Sequence, residues 1–172
     1  MSVEGMRFDV AQAKILRREL RRLERRANRE AHEILGHEIN LLSQPQLRAA
    51  FFDELNAPYF FISEKTGQPS LNGETLNAYL SYQDEKMRGL AETVLKLRKA
   101  RKMRGTYIDA IEVDDDDRVH GVWKNYGAIT GRFSSSEPNL QNLTKPQNDP
   151  VVHLGGIRSL YIPRSENHTL VA

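Results

Sequence analysis

Between Val10 and Gly36 the sequence repeats apolar or small residues in alternating steps of three and four: Ala13, Leu16, Leu20, Leu23, Ala27, Ala31 and Ile34. A helical turn takes roughly 3.6 residues, so these side chains share one face of an α-helix. Asp9 and Gln12 have the spacing of a capping box, in which a carboxylate accepts from orphan amides while a glutamine three residues on reaches back. Gly36 offers a left-handed cap at the other end. Such a helix is about 39 Å long, and its apolar face needs a partner. Met87, Leu90, Ala91, Val94 and Leu97 repeat with the same period and predict a second long helix from Asp84 toward Tyr107. In between, Ser43 with Gln46 reads as a second capping box ahead of Leu47, Ala50, Phe51 and Leu55. Past the turn-rich connection from Glu64 to Gly73, Asn72 can cap a third, short helix through Leu76, Tyr79 and Leu80. Two long helices bracketing two short ones suggest an antiparallel pair with a small helical tip.

After Asp109 the character of the sequence changes. Asp114 to Asp117 read as a turn, and VHGVWKNYGAIT, Val119 to Thr130, has the β-branched and aromatic bias of strand. An irregular stretch from Pro138 to Pro150 follows, and IRSLYI and TLVA read as short strands. The fold class is therefore α+β, with residues 1–110 helical and residues 111–172 β-rich. A length of 172 residues fits one domain, or a domain and a piece. The absence of cysteine excludes disulfides, thiolate chemistry and cysteine zinc sites. The N-terminus, MSVEGMRFD, lacks the apolar core of a secretion signal, and no apolar run approaches ~18 residues. These features predict a cytoplasmic chain with no membrane partner, on which the sequons at Asn142 and Asn167 are coincidental.

A net charge of +2 conceals an uneven distribution, because Arg17, Arg18, Arg21, Arg22, Arg25, Arg26 and Arg29 crowd the first helix. They lie away from its apolar stripe, as a solvated face would, and charge alone does not establish a nucleic-acid contact. HEILGHE, His32 to Glu38, places two histidines five residues apart, about 140° around a helix rather than the ~40° of a zinc-binding HExxH. Asp114 to Asp117 lack the spaced carboxylates of a calcium loop. KTG at Lys65 has no accompanying S-x-x-K or S-D-N, Gly155-Gly156 is followed by neither Lys-Ser nor Lys-Thr, and Ser134 to Ser136 sit in no G-x-S-x-G. No self-contained active site emerges, and no metal ligands are identified.

One stretch stands apart. TGRFSSSEPNLQN, Thr130 to Asn142, sets one arginine among serines, asparagines and a glutamine, as a surface built to touch something polar would. It closely resembles the T-G-R-[LF]-S-S-x-x-P-N-L-Q-N signature of family A DNA polymerases. RKARKMRGTYID, Arg98 to Asp109, resembles the R-x-x-x-K-x-x-x-T-Y-I-D end of the family's long thumb helix. VEGMRFD, INLLSQPQL and EKTGQPS resemble successive thumb landmarks, and GIRSLYIP a strand of the palm. The resemblance covers essentially the whole chain. It implies a helical thumb with two long antiparallel helices over residues 1–110, followed by the β-rich start of the palm over residues 111–172.

It also implies site residues. Arg132 should contact the primer-terminal base pair, with Asn139, Gln141 and Asn142 on template and primer just behind it. Every base pair offers acceptors at similar minor-groove positions, so side-chain donors there read pairing geometry more than sequence. Asn40, Ser43, Lys65, Thr66, Ser70, Arg98 and Lys102 match thumb positions near the DNA backbone, and suit phosphate positioning. Leu42 and Leu71 stand where the family often has an asparagine and a hydroxyl, which weakens the expected grip. In the family a segment like TLVA leads into D-Y-S-Q-I-E-L-R, which carries the first metal-binding carboxylate. The expectation is a fragment or split subunit of a DNA-directed DNA polymerase, a nucleotidyltransferase of DNA replication or repair such as phage and bacterial enzymes. This chain alone would be inactive and hold no cofactor. Magnesium is expected in the complete enzyme, and the expected partners are primer–template DNA and a complementary chain with the fingers and remaining palm. The alternative is a stand-alone duplex-DNA-binding accessory protein.

Overall fold

In the computed structural model, residues 5–64, 66–124 and 134–163 are described, and they form a mixed helix and strand fold. Two compact units divide the chain, one of Arg22–Ala100 and the other of Met1–Arg21 with Arg101–Ala172.

The Arg22–Ala100 unit takes the later part of α1 (Val10–Leu35), then α2 (Gln44–Arg48), α3 (Gly73–Tyr79) and most of α4 (Glu85–Arg104). The apolar repeats read from the sequence are the faces that meet: Ala27 and Ala31 of α1 join Leu90, Ala91, Val94 and Leu97 of α4 in one buried cluster. The end of α1 packs on the start of α4, where Gly89 leaves room for Ile34; a Cβ there would stand 3.3 Å from Ile34 Cδ1. Gly36 ends α1 at φ +81, a conformation in which L side chains are strained. Asn72 caps α3 by accepting from Thr75 N at 2.8 Å, and Asp84 accepts from Met87 N at 2.9 Å ahead of α4. The second capping box forms differently from its expected pattern. Ser43 makes no side-chain cap bond, and Gln46 Oε1 instead accepts from the Asn40 amide at 2.6 Å. Past α2 the chain continues through a wider π-type turn, Ala49–Glu54, which brings Phe51 against Tyr79 with ring centroids 5.3 Å apart. The Tyr79 hydroxyl donates to Pro58 O at 2.7 Å, and burial pushes its pKa up to about 12.

In the other unit a three-stranded antiparallel sheet has β1 (Met6–Phe8) at its centre, with β2 (Arg118–Val119) on one side. A separate pair joins β3 (Val122–Lys124) to β4 (Ser134–Ser136), with Trp123 opposite Ser135. The third strand beside β1 is β5 (Tyr161–Ile162), in which Phe8 pairs with Tyr161. The two rings meet edge to face at 5.4 Å. Asp114 Oδ1 accepts from the Asp116 and Arg118 amides, so the acidic run does make the turn expected of it. Asp9 caps α1 by accepting from Gln12 N at 2.8 Å, but the Gln12 side chain does not reach back. Its Nε2 donates to Leu154 O, 142 residues away. The expected strand IRSLYI is mostly a 3₁₀ turn, Ile157–Leu160, with only Tyr161 and Ile162 extended. The cause is Asp149, a buried carboxylate whose Oδ2 accepts from Ile157 N at 2.6 Å and whose Oδ1 accepts from Val151 N at 3.0 Å. Gly156, at φ +71, lets this happen; a Cβ there would stand 2.7 Å from Asp149 Oδ2. The expected strand TLVA and most of VHGVWKNYGAIT beyond Lys124 lie outside the described residues.

Candidate nucleic-acid interface

The polar motif begins on β4 and turns at once. Ser135 is buried, and its Oγ accepts from Leu140 N at 3.0 Å, closing the loop around the cis Glu137–Pro138 bond. Asn139 Oδ1 accepts from Gln141 N at 3.1 Å, starting a single 3₁₀ turn, Leu140–Asn142. The backbone at the end of that turn is pinned from the π-type turn that follows α4, Gly105–Asp109, where the buried Tyr107 donates its hydroxyl to Asn142 O at 2.6 Å. Two residues on, Thr144 Oγ1 lies 3.2 Å from Met103 Sδ, and Thr144 O accepts from Arg158 Nε at 3.1 Å.

The result is a short polar ridge with a fixed backbone and exposed side chains. Asn139, Gln141 and Asn142 all face outward. Because the Asn139 carbonyl is held by the backbone, its amide NH₂ is the end left to address a ligand. Lys102, next to Met103 and five residues before Tyr107, is exposed in the same unit. Arg132 lies outside the described residues. Sequence reasoning named the outward amides and missed what holds them. Tyr107 was legible only as a landmark of the T-Y-I-D run, and Ser135 only as one of three serines.

The remaining site residues belong to the Arg22–Ala100 unit and form two local groups. Asn40 and Ser43 share one turn: Ser43 N donates to Asn40 O at 2.8 Å, and Asn40 Oδ1 accepts from Leu42 N at 2.9 Å. The Ser43 hydroxyl, not used as a cap, remains half-exposed at the start of α2. Thr66 and Ser70 sit on the second group, a tight loop closed by Gly67 N on Ser63 O and by Ser70 N on Phe61 O, both at 2.8 Å. Lys65 lies outside the described residues. Arg98 reaches that loop from α4, donating to Leu71 O at 2.7 Å, and its partial burial lowers its pKa below the ordinary value. Arg98 thus holds the loop that presents Thr66 and Ser70. Nowhere among the described residues do three or more His, Asp or Glu side chains converge on one point.

A family model described as DNA polymerase family A matches residues 10–172. The thermostable DNA polymerase I of Thermus aquaticus is 34% identical over 146 residues, covering 83% of this chain and 17% of that protein. DNA polymerase I of Pseudomonas aeruginosa is 36% identical over 118 residues, covering 67% of this chain and 12% of that protein. A solved structure of the POL domain of Pol1 from M. smegmatis, in complex with DNA primer-template and dNTP, superposes with a TM-score of 0.70 at 29% identity. That similarity covers 82% of this chain and 24% of the solved one. The chain therefore spans well under a quarter of the length of the curated relatives it matches.

Proposed function

This chain belongs to DNA polymerase family A, and we propose that it is the duplex-gripping segment of a DNA-directed DNA polymerase, with residues 1–110 as thumb and 111–172 as the start of the palm. The observation that carries the reading is the buttressed turn at the end of the polar motif. Ser135 and Tyr107 fix its backbone while Asn139, Gln141 and Asn142 project outward. Neutral amide donors on a rigid turn suit the acceptors of a minor groove, which occupy similar positions in every base pair. Primer–template duplex is the ligand that this chemistry selects, and Arg132 is assigned to the terminal base pair.

Asn40, Ser43, Lys65, Thr66, Ser70, Arg98 and Lys102 then position the duplex through its backbone. Hydroxyls, amides and cations contribute affinity there without reading sequence. Arg98 acts partly through the loop it holds. No step of nucleotidyl transfer is assigned to the described residues. Magnesium, which family A polymerases use, would be held by carboxylates of the remaining palm, supplied by a complementary chain or by the rest of one polypeptide. The setting is the cytoplasm of a bacterial or phage-infected cell; no helix among the described residues is long and apolar enough to cross a membrane.

Fluorescence anisotropy of labelled primer–template across a salt series tests the reading. Binding should be independent of sequence, and log affinity should fall linearly with log salt, because releasing phosphate counterions becomes less favourable as salt rises. Flat or absent binding at low salt would refute it. Magnesium-dependent primer extension should appear when the chain is joined to fingers and palm, and Arg132→Ala should then lower the incorporation rate far more than DNA affinity. Duplex binding that no such partner converts into extension would identify a stand-alone accessory protein instead.

A further inference from the structure

Four consecutive residues of the Arg22–Ala100 unit expose large apolar side chains: Tyr59 by 63%, Phe60 by 42%, Phe61 by 45% and Ile62 by 66%. The run is anchored from behind, where Tyr59 meets Phe52 at 4.8 Å and Phe60 meets Tyr82 at 6.2 Å between ring centroids. Tyr82 is itself exposed. Apolar surface gathered in this way marks a place where something else docks, whereas apolar residues scattered singly do not. The backbone beside these rings is only half-paired. Ile62 stands opposite Pro69 in an antiparallel bridge, flanked by Ser70 N on Phe61 O at 2.8 Å and Ser63 N on Gln68 O at 2.9 Å. In that register Ile62 is a non-hydrogen-bonded position, so its N–H and C=O, like those of Phe60, point away from the partner strand. No hydrogen bond among the described residues uses them. On the partner strand the outward position is Pro69, which has no N–H to offer. One edge of the hairpin is thus blunted, and the other is open and aromatic.

Charge decides what can cover that edge. Residues 49–85 carry Asp53, Glu54, Glu64, Glu74, Asp84 and Glu85 against the single cation Lys65, a net −5 in a chain that is +2 overall. Asp53 adjoins Phe52, Glu64 follows Ile62 by two residues, and Asp84 and Glu85 follow Tyr82; all four carboxylates are exposed. Phosphate groups and anionic lipid are repelled here. So is the same hairpin of a second copy, because an isologous contact would set −5 against −5. We propose that the open edge at Phe60 and Ile62 docks an extended peptide segment of a partner protein, one that alternates apolar residues with lysine or arginine. The segment adds a strand to the hairpin. Its main chain pairs with Phe60 and Ile62, its apolar side chains lie on the exposed rings, and its cations meet the flanking carboxylates. Thr66 and Ser70, assigned to the duplex, lie on the turn and on the other strand. The inference stands independently of the duplex reading.

The probe is a labelled peptide of about eight residues, an ordinary strand length, that alternates valine and lysine. Its counterpart alternates valine and glutamate. In anisotropy titrations with the full 172-residue chain, the lysine peptide should bind at least about tenfold more tightly than the glutamate peptide, and its affinity should fall as salt rises. Ile62→Pro deletes the outward N–H and leaves both ladder bonds in place, and it should weaken binding of the lysine peptide about five- to tenfold. Ile15→Ser, at an exposed isoleucine of the other unit, should leave that binding unchanged. Circular dichroism checks that both variants fold. Hydrogen exchange of the unaltered chain gives a readout that needs no variant: the lysine peptide should slow exchange at the Phe60 and Ile62 amides. Unslowed exchange, equal binding of the two peptides, or full affinity in Ile62→Pro would each overturn the proposal. A dimer of the chain that Ile62→Pro dissolves, seen by analytical ultracentrifugation, would make the occupant a second copy and overturn it as well.

Discussion

In the Arg22–Ala100 unit the buried side chains are almost all apolar, with Phe51, Leu76, Tyr79, Leu90 and Val94 fully enclosed. The other unit encloses Leu16, Val119, Ile157 and Leu160, and where the first buries two threonines, Thr75 and Thr93, it buries Ser135 and the carboxylate of Asp149. It orders its loops through side chains that accept backbone amides. The first unit is a set of helices whose amphipathic faces close on one another. The second has short strands and single 3₁₀ turns, none long enough to satisfy its own backbone, so side-chain oxygens complete the hydrogen bonding. Each kind of support suits what it presents. Helices can carry cations on their outer faces without disturbing the core, whereas a ridge of neutral amides needs its backbone fixed atom by atom.

The sharpest way to break this contrast is to weaken both kinds of support and compare the costs. Phe51→Ala removes a ring stacked on Tyr79 in the apolar cluster. It should lower stability by about 3–5 kcal/mol, read from urea unfolding followed by circular dichroism. Asp149→Ala strands two buried amides, of Val151 and Ile157, and should cost roughly 2–4 kcal/mol. Fluorescence of Trp123, the single tryptophan, which lies in the same unit, follows that loss. Asp149→Asn, which keeps a carbonyl oxygen and loses an acceptor, should cost less. An Asp149→Ala variant with unchanged stability would show that the polar latches are incidental.

Tyr107→Phe isolates the support of the amide ridge, since it removes only the hydroxyl that holds Asn142 O. The expected cost is about 1 kcal/mol in stability, accompanied by a severalfold loss of duplex affinity with little change in salt slope. A changed slope with unchanged affinity would place Tyr107 outside the binding machinery.

The smallest effects are electrostatic, and they have opposite signs in the two units. His37 lies 2.8 Å from Glu54, and this hydrogen bond, with the Glu38 carbonyl, raises the His37 pKa above its ordinary 6.5. Its contribution is complete below 6.5 and disappears as pH rises through the raised value. Asp114 is held below its ordinary 3.8 by hydrogen bonds from His120 and the Arg118 amide. Its contribution is present above 3.8 and disappears as pH falls through the lowered value. Both groups are exposed, so each effect on stability should be small. NMR titration of the His37 ring should show its pKa return toward 6.5 in Glu54→Gln, and an unmoved titration would remove Glu54 as the cause.

Much of the helical architecture was legible in the residues themselves. The three-and-four repeats of Ala27, Ala31, Leu90 and Val94 specify a buried face because helical periodicity is local, and any partner that covers the stripe satisfies it. Asp9, Asn72 and Gly36 were legible for the same reason, since a cap is a contact within one turn. The motif from Ser134 to Asn142 announced an outward polar surface through its composition.

What the sequence could not decide is where polar side chains find partners distant in the chain. Gln12 could cap its own helix or bind Leu154 O, and Gln46 could serve Ser43 or Asn40; each donor or acceptor suits both, and only tertiary proximity chooses. IRSLYI has the residues of a strand, yet Asp149 takes the Ile157 amide and bends the run into a turn. Tyr107 is an apolar-periodic position by its spacing and the anchor of the amide ridge by its hydroxyl. The physical reason is the same throughout: burying an apolar face needs only some neighbour, whereas a hydrogen bond needs one particular atom at about 2.9 Å, and only the folded chain determines which atom that is.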